Sequence, residues 1–122
     1  MKKITFLFLV FFTVSSFAQK KFHQITCDTK TSIEKQKENG SFTFIFPDQI
    51  DKEQIDRTAK FYTNYFVVSF NNKTKSVQIR MTVNDQNNRR VIKRFLISNK
   101  IEEIILDDQI YTVDNFYNQF LK

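Results

Sequence analysis

The residues in this chain that invite chemistry first are soft metal donors. His23 and Cys27 stand at i and i+4, a spacing that lets two side chains on one helical turn share an ion, and Met81 is a third soft donor. They support one reading of the chain as a periplasmic metal carrier with copper as cargo. Against it, the stretch around His23 has no helical apolar period, and Met81 falls on the apolar side of an alternating run. Paired acids come next, at Glu102-Glu103 and Asp107-Asp108. Neighbours on a strand face opposite sides, and the second pair reads as a turn. A Cys-His catalytic pair would need a frame that the polar N-terminal stretch does not offer. No Gly-x-Ser-x-Gly, His-Glu-x-x-His or glycine-rich phosphate loop occurs. No catalytic, cofactor-binding or metal-ligating residue is therefore assigned, no cofactor is expected, and the chain reads as non-enzymatic.

Two surfaces remain. Arg89, Arg90, Lys93 and Arg94 lie opposite an apolar helical stripe, with Lys100, Arg57 and Lys60 as further cations. Such a set can receive an anionic lipid, a polysaccharide or an acidic protein, and it is also what any solvated amphipathic helix carries. The second surface is the outer side of the strands, where Ile45, Tyr65 and Val67 would form an apolar patch edged by Arg80. It would meet a partner protein or ligand, or else be covered by a second copy in a homodimer or by the chain's own ends. Nucleic acid is not expected, because an exported domain rarely meets it.

Export is read from the first eighteen residues. Lys2 and Lys3 precede an apolar run at 4–14, and Ser15-Ser16-Phe17-Ala18 supplies small residues before Gln19. The run is too short and too interrupted for a membrane span, which needs about 20 apolar residues. The cleaved product is expected in the periplasm or outside the cell, with no transmembrane segment. It would be about 104 residues long, enough for one core, and the loss of Lys2 and Lys3 lowers the formal charge from +6 to +4. With one cysteine there is no internal disulfide, so the fold must stand on packing. Most of the fifteen phenylalanines lie beyond residue 18 and supply its bulk, while one glycine and one proline exclude repeats and flexible linkers.

Residues 19–40 are polar and without sustained period, and are expected to form a flexible leader in which Phe22, Ile25 and Ile33 could dock locally. Cys27 reads as an incidental residue in that leader. Residues 41–122 are expected to form the domain. Phe42, Phe44 and Phe46 alternate along a first strand that Pro47 ends. A helix over 52–62 is predicted from Asp51 as cap, Gln54 three residues on, and Ile50 with Ile55 as a hydrophobic staple. Residues 65–83 form the clearest element, a hairpin in which Phe66, Val68, Phe70, Val77, Ile79, Met81 and Val83 face the core. A second helix carries Val91, Ile92, Phe95 and Leu96 and ends at Asn99 as a left-handed cap; a strand over 101–106 follows. The chain closes with a short return strand and a helical turn capped by Asp114.

Strand, helix, strand, strand, helix, strand is the order of a ferredoxin-like βαββαβ two-layer α+β sandwich, here with a short C-terminal strand and helix appendage. Between about residues 41 and 106 the layout resembles the heavy-metal-associated domain, the small copper-chaperone module, and VVSFNNKTKSVQIRM is similar to its central hairpin. That family binds Cu(I) through a Met-x-Cys-x-x-Cys loop after the first strand. The corresponding loop here is Pro47-Asp48-Gln49-Ile50-Asp51, without Cys, His or Met. The resemblance therefore implies the fold and carries over no metal ligand. The function expected is an exported, non-enzymatic binding or protein-interaction module.

Overall fold

A computed structural model describes residues 23–122 of the chain; the signal peptide expected at 1–18 and residues 19–22 lie outside the described residues. The fold is mixed α+β, with one six-stranded sheet and four α-helices among the described residues. In chain order these are β1 (Gln24–Thr26), α1 (Lys30–Asn39), β2 (Ser41–Ile45), α2 (Lys52–Ala59), β3 (Phe66–Asn71), β4 (Ser76–Met81), α3 (Gln86–Ser98), β5 (Glu103–Leu106), β6 (Gln109–Thr112) and α4 (Val113–Phe116). A 3-10 turn, Lys60–Tyr62, extends α2, and a π-helical turn, Tyr117–Leu121, extends α4.

The sheet order is β3-β4-β2-β1-β5-β6. β1 pairs antiparallel with β2 through Thr26 and Ile45, and parallel with β5 through Gln24–Glu103, Ile25–Ile104 and Thr26–Ile105. This corrects the expected domain boundary. The described part of the expected leader, from His23 to Gly40, supplies a central strand and a helix. Its apolar residues are not peripheral, since Ile25 and Ile33 are both fully buried. Each such burial contributes about 1.5–3 kcal/mol. Beyond the four strands and the return strand expected, the sheet gains β1, which separates β2 from β5.

The alternating segments fold as their period dictates. Phe42, Phe44, Phe66, Val77 and Ile79 turn to one side of the sheet. There they join Ile33 of α1, Ile55 of α2, Ile92, Phe95 and Leu96 of α3, and Phe116 and Leu121 of the C-terminal turns in a single core. Val68 and Phe70 lie at its margin, partly buried. β4 ends at Met81, so Val83 leaves the ladder and is exposed. Tyr62, Phe66 and Phe95 make edge and stacked ring contacts at one end of the core, and Phe44, Phe116, Phe120 and Tyr111 make edge and tilted contacts at the other.

The caps follow local chemistry. Asp51 accepts a hydrogen bond from Gln54 N at 2.9 Å and Asp85 from Asn88 N at 2.8 Å, each starting its helix. The last helix is capped by Thr112, whose hydroxyl accepts from Asn115 N, rather than by Asp114. At the end of α3 the left-handed residue is Lys100, with φ 64°, and not Asn99. Ile101 N donates to Leu96 O and Lys100 N to Ile97 O, a Schellman closure. Asn99 is instead fully buried: its amide donates to Phe95 O, and its oxygen accepts from Thr58 and Gln54, fastening α2 to α3.

Arg89 departs most from its expected place. It lies inside the structure, 8 % exposed. Its Nε donates to Leu121 O at 2.6 Å and its Nη1 to Asn84 Oδ1 at 2.7 Å, while Asn84 Nδ2 donates to Lys37 O at the end of α1. One guanidinium thus ties α3 to the C-terminal turn and, through Asn84, to α1. Gly40 closes α1 at φ 72°, where a Cβ would stand 3.1 Å from the Asn84 side chain. Arg89→Ala is expected to cost about 2 kcal/mol or more, because it strands buried partners, whereas Arg90→Ala on the exposed face should cost under about 0.5 kcal/mol; urea denaturation of the two variants measures the contrast.

Candidate functional site

The sheet has one face packed on the core and one bare among the described residues. Register orders the bare face into rows. Val67 of β3 stands opposite Arg80 of β4, which stands opposite Ser41 of β2. Tyr65 continues this end, its carbonyl accepting from Thr82 N at 3.0 Å. The next row is Ser69, Gln78 and Thr43, all polar. The third runs Asn71, Ser76, Ile45, Thr26, Ile105 and Ile110, crossing every strand of the sheet.

The apolar patch expected from Ile45, Tyr65 and Val67 with Arg80 is therefore divided. Tyr65, Val67 and Arg80 come together, and all are exposed. Ile45 is exposed too, but the polar row sets it apart, and it aligns instead with Ile105 and Ile110. Ile110 is 56 % exposed and Ile45 42 %, so this second stripe also offers apolar side chains to solvent. Ile105 and Ile110 were missed as surface residues because only the insertion of β1 brings their strands into line with β2. Once Gln24–Thr26 is read as a strand, the alternation of Ile105 against Ile104 and Leu106 would assign it to the bare side.

The basic set is divided as well. Arg89 is structural. Lys93 pairs with Asp114 at 3.0 Å and lies 4.8 Å over the Tyr117 ring. Arg90 and Arg94 are exposed on α3, in the helical layer across the sheet from Ile45 and Val67. Arg90 and Arg94 consequently face away from the apolar stripe, and Arg80 is the cation that shares its face.

A groove of about 530 Å³ lies where α3 ends, lined by His23, Ile97, Lys100, Ile101, Thr112 and Asp114 among others. His23 stands 3.7 Å from Glu103 Oε1, which also accepts from Gln24 at 2.7 Å. His23 and Cys27 flank β1, and extended backbone sets residues four apart by roughly 13 Å. A shared ion bonded at about 2.0–2.3 Å does not fit that separation. Among the described residues no cluster of three or more His, Cys, Asp or Glu side chains is placed to hold a metal. No described helix is long and apolar enough to cross a membrane.

Cys27 is buried rather than loose, and its backbone N–H donates to Ile105 O at 2.7 Å. Burial, reinforced by the charges of Asp28 and Asp107, pushes its thiol up to about 11 from 9.0, a backbone hydrogen bond at Asp28 opposing the shift. The thiolate that attacks electrophiles or binds soft metals is thus scarce at neutral pH. Because the folded state disfavours ionisation, the contribution of this group to stability is whole below pH 9 and is lost as pH rises towards 11. Thiol labelling of the native chain at pH 8 should be slow and should accelerate only on unfolding. Between pH 9 and 11 the chain should also lose stability more steeply than Cys27→Ala, by on the order of 1 kcal/mol per pH unit.

Compared with models of protein families, with curated proteins and with solved structures, the chain gives no match.

Proposed function

We propose that this chain is an exported, non-enzymatic interaction module whose working surface is the bare face of its sheet. The observation that carries the reading is the stripe Ile45–Thr26–Ile105–Ile110, a row of three isoleucines with one threonine on a face that no described element covers. Exposed apolar lines of this kind favour a protein partner. An anionic ligand would meet Arg90 and Arg94 on the other side. Export rests on the charged and apolar pattern of residues 1–18.

The scaffold is read as a ferredoxin-like core widened by one inserted strand. Supporting this, β2 and β3 both run antiparallel to β4 and flank it, as in a split βαβ unit. With β1 removed, the order β3-β4-β2-β5 would be that of the ferredoxin-like sheet. The likeness to a heavy-metal-associated domain without its thiolates stands on that order and on the hairpin. The non-enzymatic reading is favoured by the protonated, buried Cys27 and by Glu103, which is held by Gln24.

Affinity capture from the compartment to which the chain is exported tests the proposal. A partner should be retained by the native chain and by Arg90→Glu/Arg94→Glu, and lost by Ile45→Asp/Ile110→Asp, whose stability should be nearly unchanged. Retention by the isoleucine variant with loss by the arginine variant would move the surface to α3. Stoichiometric Cu(I) on the purified chain, lost in Cys27→Ser, would replace the module by a metal carrier.

A further inference from the structure

The two edges of the sheet are unequal. β6 is four residues long and is flanked by Asp107, Asp108 and Asp114, charges of the kind that guard an edge against pairing. β3 spans six residues, Phe66–Asn71, with no charge and no proline, and its register with β4 runs without a bulge. Its free backbone groups can be named. Thr82 N donates to Tyr65 O, so Tyr65 and every second residue after it turn their N–H and C=O groups towards β4. Phe66, Val68 and Phe70 therefore turn theirs outward, and among the described residues no turn, cap or side-chain hydrogen bond engages them.

We propose that β3 pairs antiparallel with β3 of a second copy, about a two-fold axis at Val68. Three features single out a second copy as the occupant. The outward groups belong to residues 66, 68 and 70, a set symmetric about Val68, so donors and acceptors coincide under a two-fold axis. Phe66 meets Phe70 of the other copy, Val68 meets its equivalent, and each pair exchanges two hydrogen bonds. The side chains are equally symmetric: on the core side, two Phe–Phe cross-strand pairs flank a Val–Val pair. Val68 and Phe70, left half-buried at the margin of the monomer's core, gain cover from this contact. On the bare side Val67 falls opposite Ser69 and Tyr65 opposite Asn71, with no like charges opposed. The two sheets become one, and their bare faces form one continuous surface. The edge pairing is independent of which partner, if any, the bare face binds.

The placement of Val68 on the axis provides the test. Sedimentation equilibrium of the purified chain over a dilution series should give twice the monomer mass, dissociating with dilution. Val68→Lys should be monomeric, because the axis puts two ammonium groups side by side, and Val68→Glu should be monomeric for the same reason. An equimolar mixture of the two should regain the dimer mass. Far-UV circular dichroism checks that each variant is folded. Should either unfold, amide exchange of the unaltered chain decides: the Phe66, Val68 and Phe70 amides should be protected at high concentration and lose protection on dilution, while Val67 and Ser69 stay protected throughout. A native chain monomeric at all concentrations, a dimer that survives both variants, a mixture of folded variants that stays monomeric, or protection of Phe66, Val68 and Phe70 only on addition of another protein would each overturn the proposal.

Discussion

The sheet is continuous only because a three-residue strand bridges it. β1 pairs with β2 at a single register position, Thr26 with Ile45, and with β5 along its whole length. On one side of it lies the β2-β4-β3 unit, and on the other the β5-β6 ribbon. A two-stranded ribbon is marginal in water, so β5 and β6 need β1 and the shared core beneath to remain in place. The same bridge aligns Ile45 with Ile105 and Ile110, and so creates the apolar stripe from which the proposed function follows.

A short strand can do this because α1, which follows it, is held by contacts outside itself. α1 buries only Ile33, and an isolated ten-residue helix would be marginal. Its N-terminus is held by Asp107, which accepts from Lys30 N, and its C-terminus by Asn84 and, behind it, Arg89. Gln36 reaches from its middle to accept Thr43 N, a donor of β2 that the brief β1 leaves without a strand partner. Polar contacts to β2, to the loop at Asn84 and to Asp107 take the place of an apolar stripe. That makes the N-terminal segment part of the domain.

This explains what could be read from the residues alone. The hairpin, the capped helix at Asp51 and the apolar stripe of α3 were legible because each advertises itself through local period and cap chemistry. β1 and α1 were not, because three residues give no period and one buried isoleucine gives no stripe. Arg89 is illegible for the same reason: helical spacing places it at the rim of the apolar arc, and only the C-terminal turn, brought over it by tertiary packing, supplies the carbonyl that lets it be buried. The candidate surface fared similarly. Tyr65, Val67 and Arg80 lie on or beside adjacent strands, so local alternation alone places them together, whereas Ile45 lies in line with residues on strands whose neighbours the sequence does not reveal.

The central claim is that Gln24–Thr26 is built into the middle of the sheet. Native-state hydrogen exchange at the Cys27 amide, which donates to Ile105 O at 2.7 Å, tests it directly. If β1 bridges the sheet, that amide opens only with global unfolding and matches the most protected amides of β2 and β4. Exchange at the rate of an unstructured segment, with β2 and β4 still protected, would contradict the account.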